Sequence, residues 1–346
     1  MTSSGKIEIL NFLKKGENYS SKEIHEGIRS SISYATVKRI ITNLISENLI
    51  VKKGKGKSTK YSISLAHKIF QTIDVEDYFQ KEIDDRKIIE NFNLTLITET
   101  LSNVNIFTEN ELTKLSGLQN EYRKNISELE EIEYEKELER LSIDLSWKSS
   151  QIEGNTYSLL ETEQLLKEKQ TASGKTKEEA VMLLNHKDAI DFIIKTLDYL
   201  TPLSIPKIED IHSLLTKDLE VNRNIRKRRV GISGTNYNPL DNEFQIREAL
   251  SNMCELVNAR ENIFEKALLA LMLISYIQPF SDGNKRTARI VSNAILMNYG
   301  YCPLSFRTVD SIEYKKAMLI FYERNNLTAF KNIFMTQFEF AVNKYF

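Results

Sequence analysis

Asp282, Gly283, Asn284, Arg286 and Arg289 fall within eight residues, in the stretch IQPFSDGNKRTAR at 277–289. These residue types handle phosphate. An apolar run, Ala267 to Ile277, ends at this loop, and a helical pattern resumes near Lys285 and Arg286. The first backbone N–H groups of such a helix lack intrahelical partners and favour an anion. Gly283 permits close approach of a phosphate to the backbone. Arg286 and Arg289, three apart, share a helix face and can both pair with phosphate oxygens. Asp282 is a hard oxygen ligand suited to a magnesium ion that bridges phosphates. Together they describe a site for a triphosphate with magnesium. The competing reading of the same spacing is a plain turn between core helices, with Asp282 as its cap and the arginines on the surface.

The elements that must position this loop read as helices. Helical periodicity runs through 86–104, 109–150, 158–170, 178–199, 206–219, 244–258, 262–277, 286–299 and 311–325. Strand-like alternation is confined to 49–63 and the neighbourhood of 228–239. The expected fold is mainly α with a small β element in each half. With 346 residues, 41% of them hydrophobic, the chain has room for two or three domains. A formal net charge of −1 excludes a globally basic nucleic-acid binder but not a local basic patch. Two isolated cysteines, Cys254 and Cys302, indicate a reducing compartment without a disulfide framework. MTSSGKIEIL lacks the pattern of a signal peptide, and the longest apolar run falls short of the roughly 20 residues needed to span a bilayer. A cytoplasmic protein without a membrane segment is expected.

The first 66 residues read as a module of their own. KIEILNFLKKG is amphipathic, SSKEIHEGI opens with a Ser cap and Glu23 in capping-box register, and a longer helix runs from Tyr34 to about Glu47. LIVKKGKGKSTKYSIS then reads as two strands around a Gly-Lys-Gly turn. Three helices and a hairpin in this order resemble a winged helix-turn-helix. Twelve lysines and arginines face five acidic residues here. Lys53, Lys55 and Lys57 sit on the hairpin, where they could neutralise phosphates, and Tyr34, Thr36, Lys38 and Arg39 begin the third helix, the end that enters a major groove in this motif. Duplex DNA is one partner this suggests, and a protein-docking or dimerising module is the other. Residues 67–90 turn acidic and read as a connector, leaving 91–346 as the helical domain.

Three stretches, the 277–289 loop among them, carry a resemblance. QPFSDGNKRTAR is similar to the signature of the Fic (filamentation induced by cAMP) family, His-Pro-Phe-x-Asp/Glu-Gly-Asn-x-Arg-x-x-Arg. It differs at one fixed position, where Gln278 stands for the histidine. SSQIEGN, Ser149 to Asn155, resembles the family's inhibitory motif, with Ser149 and Glu153 in its key places. IRKRRVGISGTNYNPL, 225–240, resembles the region leading into its β-hairpin flap. The resemblance implies a helical Fic core over about 90–346 that transfers AMP from ATP to a Ser, Thr or Tyr hydroxyl of a target protein. Asp282 would then hold Mg²⁺, while Gly283, Asn284, Lys285, Arg286 and Arg289 would bind the nucleotide. Thr235, Asn236 and Tyr237 of the flap would align the target. Glu153, with Ser149 and Asn155 around it, would pair with Arg289 and block the productive phosphate pose.

Gln278 cuts against full activity. A carboxamide has no basic lone pair near neutral pH, and losing a general base removes about 10²–10⁴-fold in rate. Two functions remain open: an autoinhibited, weakened adenylyltransferase, or a non-catalytic DNA-binding regulator that uses the fold as a nucleotide sensor or partner scaffold. A homo-oligomer is compatible with either. The four histidines (His25, His67, His186 and His212) read as structural, ASGKT at 172–176 as a turn and not a phosphate loop, NIRKRR at 224–229 as a solvated run, and Trp147 as core packing.

Overall fold

The computed structural model describes residues 3–16, 18–28 and 32–346. It opens with α1 (Ser3–Leu13), α2 (Ser21–Gly27) and α3 (Tyr34–Ser46), then the antiparallel pair β1 (Ile50–Lys53) and β2 (Lys60–Ile63). The Ser20–Glu23 capping box starts α2, and Ser33 caps α3 through Thr36 N–H. Ile9, Leu13, Ile24, Val37, Ile41, Leu44 and Ile50 close a small core of their own. This is a winged helix-turn-helix.

Two short helices follow, α4 (His67–Phe70) and α5 (Val75–Phe79), before the helical body. The body holds α6 (Glu109–Glu128), α7 (Glu131–Ile152), α8 (Leu159–Glu168), α9 (Lys177–Lys195), α10 (Ile205–Leu215), α11 (Glu243–Ala259), α12 (Ile263–Ile277), α13 (Asn284–Asn298), α14 (Ser311–Arg324) and α15 (Thr328–Tyr345). From Ala267 to Ile277 every residue of α12 is buried, the mark of a helix enclosed by others. It packs along α13, and α7, α9, α10, α11 and α14 surround the pair. The 277–289 loop joins these two central helices, so a rigid core holds both of its ends.

The structure departs from the sequence expectations in four places. The pattern at 86–104 becomes helical only at its end, as a π-helical turn at Leu96–Thr100 and a 3-10 turn at Leu101–Asn103, because the polar groups of 84–93 bond to other parts of the body. The single pattern at 109–150 splits, since Glu130 and Glu133 build a capping box that starts a second helix. α15 was not anticipated; its aromatic-rich sequence, TAFKNIFMTQFEFAVNKY, has buried positions on several faces. The expected β-hairpin flap at 228–239 is also corrected. Among the described residues the only sheet is β1–β2, and the flap is a turn around Ser233–Gly234 with one parallel bridge, Asn238 to Asn91. No helix among the described residues is long and apolar enough to cross a membrane. Cys254 and Cys302 are buried free thiols.

Candidate functional site

Gln278 ends α12 in the left-handed conformation (φ 52°, ψ 58°), which turns the chain sharply into the loop. Its side chain is buried and committed. Nε2 donates to Ser275 O at 2.6 Å and meets the Tyr322 hydroxyl at 3.4 Å, while Oε1 accepts from Asn284 Nδ2 at 3.0 Å. Asn284 also clamps Phe280, donating to its carbonyl and accepting from its N–H, both at 2.8 Å. The Asn284 side chain thus shapes the loop and is not free to hold a ligand. Phe280 stacks flat on His212 (3.7 Å between centroids), whose Nε2 lies 3.0 Å from Asp282 O. Gly283 N-caps α13 at φ +79°, and a Cβ there would sit 3.4 Å from His212 and Thr216. Only glycine fits that position without strain.

The two arginines settle the competing reading. Arg286 and Arg289 are 1% and 0% exposed, so they are not surface residues beside a plain turn. Arg286 Nη2 donates to Asp282 Oδ2 at 3.0 Å. Arg289 reaches across to the end of α7: Nη2 donates to Glu153 Oε1 (2.8 Å) and to Ser149 O (3.0 Å), and Nε donates to Ser149 Oγ (2.7 Å). Ser149 Oγ in turn meets His186 Nε2 at 2.7 Å. Lys285 Nζ lies 3.3 Å from the other oxygen of Glu153. Burial alone would raise the Glu153 carboxyl, yet Arg289 and then Lys285 hold it below the ordinary carboxylate range. Burial pushes His212 down to about 4 and His186 well below its usual value, so both are neutral at pH 7. Asn155 does not touch Arg289; it fixes the turn after Glu153 through Glu179 O and Tyr157 N–H.

A cleft of about 380 Å³ opens over this loop, lined by Glu153, Gln278, Asp282, Gly283, Lys285 and Tyr322 among others. The Asp282 side chain stands at its rim, 66% exposed. Arg286 Nε and Nη1 and Arg289 Nη1 are buried without a protein hydrogen-bond partner. An orphaned buried donor of this kind costs about 1–3 kcal/mol or more, so the cluster is suited to an anion with several acceptor oxygens. Among the described residues no three His, Cys, Asp or Glu side chains gather as a metal cage. A lone exposed carboxylate beside an anion site fits magnesium, which keeps its waters and takes its other ligands from phosphate.

Residues 202–296, which include the loop, match the Fic/DOC family. This segment is similar to a Fic domain. Residues 3–105 match a second family, penicillinase repressor, in agreement with the winged helix. A protein adenylyltransferase Fic from Nematostella vectensis is 33% identical over 175 residues, 48% of this chain and 40% of that protein. Protein adenylyltransferase fic-1 from Caenorhabditis elegans is 27% identical over 169 residues, 47% of this chain and 33% of that one. The chain therefore spans well under half the length of these relatives. In fold, Fic-1 (residues 134–508) from C. elegans matches at TM-score 0.60 and 21% identity, covering 68% of this chain and 71% of that one. A Fic domain containing signaling protein from Bacteroides thetaiotaomicron matches at 0.57 and 18%, covering 66% and 95%.

The flap differs in detail from the sequence expectation. Tyr237 is buried and stacks on Tyr276 and Tyr322 (5.2 and 5.5 Å), so it anchors the flap and does not present a surface to a target. Val230 to Ser233 line the cleft instead, while Thr235 and Asn236 border a shallower groove beside it. The basic run at 224–229 is not wholly solvated: Arg226 is buried and donates from Nε to Gln278 O at 2.7 Å and from Nη2 to Leu240 O, bracing the flap against the loop. The sequence does not reveal that brace, whereas His212 has the structural role expected of it. The Arg at 226 was visible, but its partners are backbone carbonyls, which leave no trace in side-chain spacing. Trp147 Nε1 donates to Tyr157 O, tying α7 to the segment beyond Glu153.

In the N-terminal module, Lys38, Arg39, Lys53 and Lys55 are exposed. Tyr34 bonds Ser21 at 2.8 Å and carries Lys38 over its ring, and Thr36 is held in the Ser33 cap. The side chain of Lys57 lies outside the described residues.

Proposed function

We propose that the cleft binds ATP with magnesium, and that Glu153 holds it in an autoinhibited state in which AMP transfer to protein hydroxyls is slow. The observation that carries this reading is the Glu153–Arg289 pair. It couples one of the two buried arginines suited to phosphate to a carboxylate that a phosphate would have to displace. Asp282 would hold the magnesium, and the α13 N-terminus with Lys285, Arg286 and Arg289 would take the phosphates. When bound, the metal supplies charge neutralisation between phosphate groups. Gln278, in the place of the family's histidine, supplies no base. Its amide is spent on Ser275, Tyr322 and Asn284, so it orients the loop and does not accept a proton. The relatives' name, protein adenylyltransferase, supports AMP as the group transferred.

The match of residues 3–105 to the penicillinase repressor family, with exposed lysines on the hairpin, favours a second role: residues 1–66 form a separate unit that binds duplex DNA, joined by 67–90 to a Fic domain over 91–346. Calorimetry with Mg·ATP tests the first reading. The Glu153→Gly chain should bind at least about tenfold more tightly than the parent, since it frees a charge-assisted donor. No binding by Glu153→Gly would refute the nucleotide site. Retention of tight binding by Glu153→Gly/Arg289→Ala would refute the role given to Arg289.

A further inference from the structure

Residues 75–93 leave the N-terminal module and run along the outside of the cleft, and their polar groups bond in order to its roof and its wall. On the roof, Asn236 Nδ2 donates to Asp84 Oδ1 (2.8 Å), Arg86 Nη2 to Gly234 O (3.1 Å) and Asn238 N to Glu90 O (2.6 Å). On the wall, formed by α14, Arg86 Nη1 donates to Glu323 Oε1 (3.0 Å), the Tyr78 hydroxyl to Glu323 Oε2 (2.6 Å) and Ile89 N to Glu323 O (2.7 Å). Phe92 then stacks on Tyr276 (4.6 Å), and Asn93 N donates to the Tyr276 hydroxyl (2.9 Å). Tyr276 stacks on Tyr237 of the flap, Tyr237 stacks on Tyr322, and the Tyr322 hydroxyl meets the Gln278 amide.

A segment that only had to span two domains would not bury a charge. Arg86 and Glu323 are 5% and 1% exposed, and removing two ions from water costs several kcal/mol each unless every bond is well made. Here one guanidinium is divided between the wall carboxylate and the Gly234 carbonyl at the tip of a flap that has no hairpin partner of its own. The flap backbone instead meets the segment around Glu90 and Asn91, through the isolated Asn91–Asn238 bridge and the bond from Asn238 N to Glu90 O.

We propose that residues 75–93 are a strap that sets the flap over the cleft, with Arg86 as its positioning residue, so that access to the site is governed by the segment leaving the N-terminal module. What the strap admits rests on the nucleotide reading above; that it holds the flap does not. Hydrogen exchange on the full chain without nucleotide tests the second part. Arg86→Gln removes the bridge, and Arg86→Gln/Glu323→Gln removes it without leaving a lone buried charge. In both, the flap amides that hold hydrogen bonds, Tyr237 and Asn238, should exchange at least about tenfold faster, while α12 and α13 keep their rates. Unchanged flap protection in the double variant, or an equal loss in α12 and α13, would overturn the strap. In a Glu153→Gly background the same pair of changes should alter the Kd for Mg·ATP by at least about threefold. An unchanged Kd with a freed flap would overturn control of access. If the Glu153→Gly parent binds no Mg·ATP, the nucleotide reading and the control of access that rests on it both fall, while the exchange result still decides whether the strap exists.

Discussion

At the scale of single residues, the site is governed by which groups have spent their hydrogen-bonding capacity. Gln278 has committed both of its amide protons, whereas Arg286 and Arg289 keep unpartnered donors. In a Glu153→Gly background, Gln278→His should raise AMP transfer, read as self-labelling from ATP, by at least about tenfold, because an imidazole can accept a proton near pH 7. Equal labelling with glutamine and histidine would show that no base is needed. Gln278→Ala strands Ser275 O and one Asn284 proton, so denaturant melts should record a loss of about 1–3 kcal/mol whether or not the chain transfers AMP. His212 adds a pH signature. Its value in the folded chain, about 4, lies below the 6.5 of an unperturbed imidazole, so the unfolded chain takes up a proton that the folded one refuses. Its contribution to stability is complete above about pH 6.5 and is lost as pH falls toward 4, and His186 acts in the same direction. Urea melts at pH 7, 6 and 5 should therefore show a flatter pH dependence for His212→Gln, by up to about 1.4 kcal/mol per unit. Parallel curves would mean that His212 takes up its proton equally in the folded and unfolded chains.

At the scale of elements, function depends on one helix-to-helix loop and on the end of a third helix. α12 and α13 are buried along nearly their whole lengths, so the loop between them inherits their rigidity. Gly283 is the residue that lets α13 start at that point. Gly283→Ala should destabilise the chain by about 1–2 kcal/mol through its left-handed backbone. It should also weaken Mg·ATP binding to the Glu153→Gly chain. A fully stable Gly283→Ala chain with unchanged affinity would mean the turn tolerates a side chain there. α7 brings Ser149 and Glu153 one helical turn apart onto the same face, which lets both meet Arg289.

At the scale of the whole molecule, two cores are joined by a connector that is itself docked. The small N-terminal core closes without help from the body, while Ala66 and Ile69 already belong to the larger one. If the exposed lysines of the hairpin neutralise phosphates, the full chain's affinity for duplex DNA should fall linearly on logarithmic axes as salt rises. Lys53→Glu with Lys55→Glu should weaken binding and flatten that slope. Affinity indifferent to salt, or none at low salt, would assign the module to protein docking.

The winged helix, the central helices and the loop chemistry were legible in the sequence because each rests on local signals: caps, apolar periodicity, a glycine at a turn, paired arginines three apart. The ligand class implied by Asp282, Gly283 and the arginines follows from side-chain type alone. Other features depended on contacts between residues far apart in the chain. The sequence placed Arg286 and Arg289 on one helix face, but only packing against α7 buried them and paired Arg289 with a residue 136 positions away. The flap's alternation promised a hairpin, yet its backbone groups found partners in the connector, whose own helical pattern gave way for the same reason. Tyr237 lies in a motif that suggested a target surface and is instead packed between Tyr276 and Tyr322. Periodicity reports how a segment would satisfy its own hydrogen bonds; it is silent when the tertiary structure satisfies them elsewhere.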